Sequence, residues 1–348
     1  MLGVDFEREN GMYRISRIYR GGPWDVDALG PLSKAGLGVE EGDYLVAVNG
    51  VPVDPDKDPW AAFIGTAMRE TVLTIKRQPK CDHDGEEGCE HGDGDCGHDH
   101  DPAELEEHEV VVKPAYSDGV LRYRAWIEHN RASVEAQSDG QVGYIYVPNT
   151  GVQGQSELVR QYFGQIDKKA LIIDERWNGG GQIPTRFIEL LNRPITNYWA
   201  RRDHHDWKWP PDAHHGPKCM LINGLAGSGG DMFPWLFRYN KLGKLIGTRT
   251  WGGLVGLSGN PTLIDGGYVS VPTFGFYEKD GTWGIEGHGV DPDIEVIADP
   301  AKMVDGGDPQ LDAAIELMLQ EIKARPYLPA TRPPDPDRSG MGVTEADK

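Results

Sequence analysis

Cys219-Met220-Leu221-Ile222-Asn223 runs into Ala226-Gly227-Ser228-Gly229-Gly230-Asp231 and then into Met232-Phe233-Pro234-Trp235-Leu236-Phe237. An apolar run, a turn of small residues and an amphipathic segment read as strand, turn and helix. Ser228 then stands at a strand-to-helix junction, where the first N–H groups of the helix have no intrahelical acceptor. A serine placed there can attack a carbonyl. The flanking glycines let a substrate backbone come close, and the Gly229 N–H points to where an oxyanion develops. The same residues also suit a plain serine N-cap on a glycine turn.

A second stretch repeats the arrangement. Ala170-Leu171-Ile172-Ile173-Asp174 reads as a buried strand, Glu175-Arg176-Trp177-Asn178-Gly179-Gly180-Gly181 as a turn, and Phe187-Ile188-Glu189-Leu190-Leu191 as a helix. Neighbouring parallel strands present their following turns at one sheet edge, so main-chain donors of this turn can complete an anion pocket facing Ser228. A phosphate-binding loop needs a Gly-Lys-Ser/Thr ending or a GxGxxG pattern, and residues 178–182 have neither. Strand about 143–148, helix about 156–163, and the two units above alternate in the manner of a right-handed α/β fold with a mostly parallel sheet.

Four pieces in series resemble the C-terminal part of the tricorn protease family, relatives of the C-terminal processing peptidases. They are Asp174 with Asn178-Gly179-Gly180-Gly181, residues 226–231, Leu245-Ile246-Gly247-Thr248-Arg249-Thr250-Trp251-Gly252-Gly253, and Gly284-Ile285-Glu286-Gly287-His288-Gly289-Val290-Asp291-Pro292-Asp293-Ile294-Glu295-Val296. The resemblance runs from about residue 2 to about residue 325. It implies that Ser228 is the nucleophile, that the N–H groups of Gly229 and Gly181 form the oxyanion hole, and that Glu286 is the acidic member of the charge relay. In that family the histidine and a second serine of the relay lie in a helical domain ahead of the PDZ domain. None of the eleven histidines here falls in a matching segment. The expectation is therefore a site whose general base comes from an upstream domain absent from this chain. His288 is the one histidine close to Glu286 in sequence, and two residues along a strand it would face the same side without contacting it.

Residues 1–115 read as a smaller β-rich domain. Residues 12–19 and 71–77 alternate, residues 43–50 end in an Asn-Gly turn, and residues 60–68 read as a short helix. Residues 36–50 resemble the PDZ pattern, which implies capture of an extended peptide by strand addition. The fold class expected is thus α/β: a β-rich PDZ-like domain, then a crotonase- or Clp-protease-like β-α superhelix over residues 116–326. Residues 309–324 close it with an amphipathic helix, and residues 327–348, rich in Pro and charge, read as a disordered tail. Residues 263–277 read as a hairpin.

Between strands at 72–77 and 109–112 lies an acidic insertion, 80–107, which cannot bury a core. Its Cys81, His83, Cys89, His91, Cys96, His98 and His100 supply ligands for Zn²⁺, without the paired spacing of a zinc finger, so no cofactor is assigned and zinc there is a weak candidate. Cys219 reads as a packed hydrophobe and the cysteine pattern as no disulfide framework. The loop 193–216 carries Trp199, Trp207, Trp209, His204, His205, His214 and His215, and reads as a substrate wall or lid rather than a metal site.

The formal charge of −20 argues against nucleic acid and anionic membranes as partners. Twelve of the acidic residues fall within 81–107, which has no Lys or Arg, so the remaining surface is only moderately acidic. No apolar run reaches membrane-spanning length, and the start lacks a signal-peptide pattern. The expected protein is a cytoplasmic serine peptidase that hydrolyses peptides or unfolded proteins through an acyl-enzyme at Ser228, within a homo-oligomer. The rival reading is a non-catalytic peptide- or metal-binding PDZ module in which Ser228 is vestigial.

Overall fold

A computed structural model describes every residue except 22–27, 78–104, 183, 305, 336–341, 343–345 and 347–348. The chain divides into two compact units, Met1–His129 and Asn130–Lys348.

The first unit is an antiparallel sheet of β1 (Val4–Glu9), β2 (Met12–Ile18), β3 (Tyr44–Val48), β4 (Val51–Pro52), β5 (Thr71–Arg77) and β6 (Glu106–Val112). Its order is β1-β2-β3-β5-β6, with β4 paired to β3. Asn49 and Gly50 both take positive φ, 50° and 74°, the backbone a two-residue hairpin turn between Val48 and Val51 requires. Val4, Ile15, Leu45, Leu73, Ile75 and Val110 pack together in the unit's core, Ile15, Leu73 and Ile75 coming from the two stretches that alternate in sequence. Residues 60–68 are not a helix of the length expected. Asp58 caps a single 3₁₀ turn, Pro59–Phe63, which ends at extended Ile64 and left-handed Gly65. Strands β5 and β6 pair in unbroken register from Thr71↔Val112 to Arg77↔Glu106, so the acidic insertion joins the two strands of a hairpin. The candidate zinc ligands from Cys81 to His100 lie outside the described residues.

Helix α1 (Gly119–Gln137) leads into the second unit, with His129 exposed. There follow β7 (Val142–Tyr146), α2 (Val152–Gly164), β8 (Ala170–Asp174), α3 (Pro184–Leu191), the short pair β9 (Asn197–Trp199) and β10 (Trp207–Trp209), β11 (Lys218–Ile222), α4 (Gly229–Tyr239) and β12 (Gly243–Gly247). Beyond these come β13 (Gly256–Leu257), β14 (Pro272–Phe274), β15 (Ile294–Glu295), α5 (Pro300–Met303) and α6 (Pro309–Ala324). The main sheet has the order β15-β12-β11-β8-β7, all parallel. Its central strands are buried on both faces, which is why they read as continuous apolar runs. Ile145, Leu171, Ile173, Met220 and Leu245 pack with Leu158 and Tyr162 of α2, Phe187 of α3, and Phe233 and Phe237 of α4. Helix α6 lies against β8, β11 and β12. The hairpin expected over 263–277 is reduced to β13–β14 pairing and two isolated bridges, Thr262↔Tyr268 and Tyr277↔Trp283. Its apolar residues, Ile264, Tyr268 and Phe274 among them, are exposed, so no burial enforces a ladder.

Candidate active site

Strands β8 and β11 are neighbours, with Met220 opposite Ile173 and Leu221 opposite Asp174, so the turns that follow them emerge side by side. Ser228 caps α4 with φ 56° and ψ −117°, a strained conformation that lifts a serine out of a strand-to-helix turn. The two turns touch closely. A Cβ on Gly180 would lie 2.8 Å from Ser228 Cβ, and one on Gly229 would lie 2.7 Å from Gly181 N and 2.0 Å from Thr150 Oγ1. Only glycine fits at these contacts.

Hydrogen bonding sorts the main-chain donors. The Ser228 N–H donates to Gly253 O (2.9 Å) and Asp231 Oδ2 (2.8 Å), and the Gly230 and Asp231 N–H groups donate to Gly227 O and Ser228 O. In the other turn Gly179 N–H donates to Pro148 O and Gly180 N–H to Asn178 Oδ1. The Gly229 and Gly181 N–H groups have no acceptor among the described residues. Two free donors from adjoining turns, beside a half-buried serine, are what an oxyanion requires.

Glu286 is exposed, on a turn rather than a strand, and its Oε2 accepts the N–H groups of Leu254 (2.6 Å) and Val255 (2.8 Å). These residues directly follow Gly253, whose carbonyl holds the Ser228 N–H. Glu286 is thereby tied to the segment that leans on the Ser228 turn. His288 is engaged elsewhere. Its Nε2 pairs with Asp291 Oδ2 at 2.7 Å, and Asp291 also accepts from Arg249. Among the described residues no histidine hydrogen-bonds Ser228.

Three buried acids lie behind the turns. Asp174 accepts from Tyr144 Oη and pairs with Arg176, which also grips Asp308 and Gln310. Asp231 is fully buried and could have been noticed as the acidic third residue after a serine cap. Glu175 reads in sequence as an ordinary turn acid, yet both its carboxyl oxygens are buried without a partner. Burial first, then Asp231 and Asp174, push its pKa well above the usual 4.5, so the fold favours its neutral form. A raised native pKa favours folding fully below pH 4.5, and that advantage fades as pH climbs and the unfolded chain ionises. Glu175→Gln, neutral at every pH, is expected to gain thermal stability over the native chain progressively above pH 4.5. Parallel melting curves from acid to neutral pH would sink this account.

The loop 193–216 does not border Ser228 within the unit. With Asp167, Tyr198, Trp207, Trp209, His215 and Tyr327 it lines a cavity of about 850 Å³. Asp167 and His215 precede the first residues of β8 and β11, which is the sheet edge opposite the turns that bear Gly181 and Ser228, about 16 Å away along five-residue strands. Tyr327 stacks on His215 with ring centroids 3.4 Å apart. Burial first, then lysines, lower His214 to about 3 and His215 to about 4, so both rings are neutral at pH 7. Among the described residues no group of three His, Cys, Asp or Glu is placed to hold a metal ion, and no helix is long and apolar enough to cross a membrane. Cys219 is buried and free.

Residues 141–296 match the model of peptidase family S41, and residues 1–84 that of the tricorn protease PDZ domain. Tricorn protease homolog 1 of Streptomyces coelicolor is 34% identical over 94% of this chain and 28% of its own length. The tricorn protease of Thermoplasma volcanium is 32% identical over 92% of this chain and 29% of its own. The crystal structure of the tricorn protease superposes with a TM-score of 0.78 at 29% identity, over 93% of this chain and 29% of that one. The chain thus spans under a third of the length of these relatives.

Proposed function

Because the chain belongs to the tricorn branch of peptidase family S41, we propose that it carries the nucleophile, oxyanion hole and acidic relay residue of a serine peptidase. The observation that carries this reading is the pair of unclaimed N–H groups, Gly229 and Gly181, beside a strained and accessible Ser228. Ser228 Oγ attacks a peptide carbonyl carbon while its proton passes to a general base. The carbonyl oxygen becomes an oxyanion held by the Gly229 and Gly181 N–H groups. Collapse returns the proton to the leaving amine and leaves an acyl-serine, which water hydrolyses by the same steps in reverse. Glu286, fixed through Leu254 and Val255, stands behind the base and orients it.

Among the described residues no histidine bonds Ser228, and in this reading the base is supplied by a separate stretch of polypeptide, within a cytoplasmic homo-oligomer acting on peptides or unfolded proteins. No cofactor enters the reaction. The test is fluorophosphonate labelling of this chain, alone and mixed with the amino-terminal two thirds of a full-length tricorn protease. Labelling at Ser228 in the mixture only is the expected result. Labelling of the chain alone would locate the base within it, with His288 the first residue to replace. Labelling in neither would favour the peptide- or metal-binding module.

A further inference from the structure

We propose that Asp231 is a positioning residue that clamps the segment Thr250 to Gly253 onto the nucleophile turn and so fixes both Ser228 and the acidic relay residue. Four donors converge on its carboxylate. Oδ1 accepts from Thr250 Oγ1 (2.5 Å) and Gly252 N–H (2.8 Å), and Oδ2 from Ser228 N–H (2.8 Å) and Gly253 N–H (3.1 Å). The group has no exposed surface, so each donor lost on its removal would be stranded away from water.

The clamp reaches the site by three connections. The Ser228 N–H is taken up by Asp231 and Gly253 O, which keeps it out of the oxyanion hole and holds the serine at φ 56°. Gly253 is followed by Leu254 and Val255, whose N–H groups hold Glu286. Thr250 Oγ1, donating to Asp231, accepts the Val290 N–H at 2.9 Å, which ties down the segment after Glu286 as well. Gly252 is held from its other side too, because its carbonyl accepts the Gly287 N–H at 2.8 Å. One carboxylate thus joins the nucleophile turn, the loop beside it and the turn that bears Glu286. An amide in its place presents one N–H₂ to these donors and leaves two of them facing a donor.

This inference rests on the peptidase reading for its catalytic consequence, but not for its structural one. The experiment therefore measures two quantities on Asp231→Asn in the full chain, supplied with the amino-terminal polypeptide used above. The first is kcat and KM with a peptide substrate, together with the fluorophosphonate labelling rate. The second is amide hydrogen exchange at Ser228, Gly252 and Gly253, referenced to amides of β8 and β11. The expected result is a fall in kcat and labelling rate of about 10- to 100-fold with KM within about twofold, the consequence of a slightly misplaced nucleophile. Exchange at the three amides speeds up while the strands keep their protection. Thr250→Val removes one donor and is expected to give the same pattern at smaller amplitude, with the Val290 amide added; it serves if the asparagine variant fails to fold. Unchanged exchange at the three amides overturns the proposal. So does a uniform rise across the unit with activity lost only in proportion to unfolded protein. An unmodified chain that neither cleaves nor labels would remove the peptidase reading, while the exchange measurement would still decide whether the clamp exists.

Discussion

Ser228→Ala is expected to abolish fluorophosphonate labelling and to lower peptide hydrolysis by about a thousandfold or more, in any preparation in which the native chain is active. A methyl group supplies no nucleophile, and the two free N–H donors of Gly229 and Gly181 are left with only their contribution to binding and polarisation. Stability provides the contrasting measurement. Were Ser228 only a helix cap, alanine would cost about 1 kcal/mol and chemistry would be untouched. Ser228→Gly separates the two roles further. At φ 56° and ψ −117° a side chain is strained by about 1–3 kcal/mol, and glycine is not. The glycine variant is therefore expected to melt higher than the native chain and to be as unreactive as the alanine variant. A site that keeps its serine at a cost in stability is one where strain serves the chemistry. Labelling that survives in either variant would show that another residue carries the reaction.

The parts of this molecule legible in the sequence are those where one local pattern decides the outcome. Residues 170–174 and 71–77 are strands with the bounds expected, and α6 runs Pro309–Ala324 behind an Asp308 cap. The meeting of two turns followed from topology alone, since neighbouring parallel strands leave their turns at the same edge. What escaped depends on partners distant in the chain. Asp231 looks like a cap acid until Thr250, Gly252 and Gly253 close over it. Glu175 looks like a surface acid because nothing nearby announces that its turn is buried. Composition makes the loop 193–216 look like a wall of the substrate site. Helix α3 returns the chain to the far edge of the sheet, and composition carries no record of direction.

The largest effect on stability is expected from Arg176→Met. Arg176 is 1% exposed and meets two carboxylates, bonding Asp174 through Nε and Nη2 and Asp308 through both terminal nitrogens. Asp174 has no exposed surface at all, and it ends the strand whose following turn bears Gly181. Asp308 caps α6 through the Leu311 N–H at 3.0 Å. One guanidinium thus fastens the closing helix to the root of the turn that bears Gly181. Methionine has similar bulk and removes the charge, which leaves Asp174 buried and unpaired at a cost of about 3–5 kcal/mol. For a unit of this size that is a fall in melting temperature of roughly 10 °C, give or take a factor of two. Adding Asp174→Asn to Arg176→Met removes the stranded charge and is expected to recover part of the loss: an asparagine there still accepts from Tyr144 Oη at the position of Oδ2, while its N–H₂ at the position of Oδ1 meets the backbone N–H of residue 176. If the double variant is as unstable as the single one, the loss comes from packing around residue 176, and the ion pair is not what holds the turn to the helix.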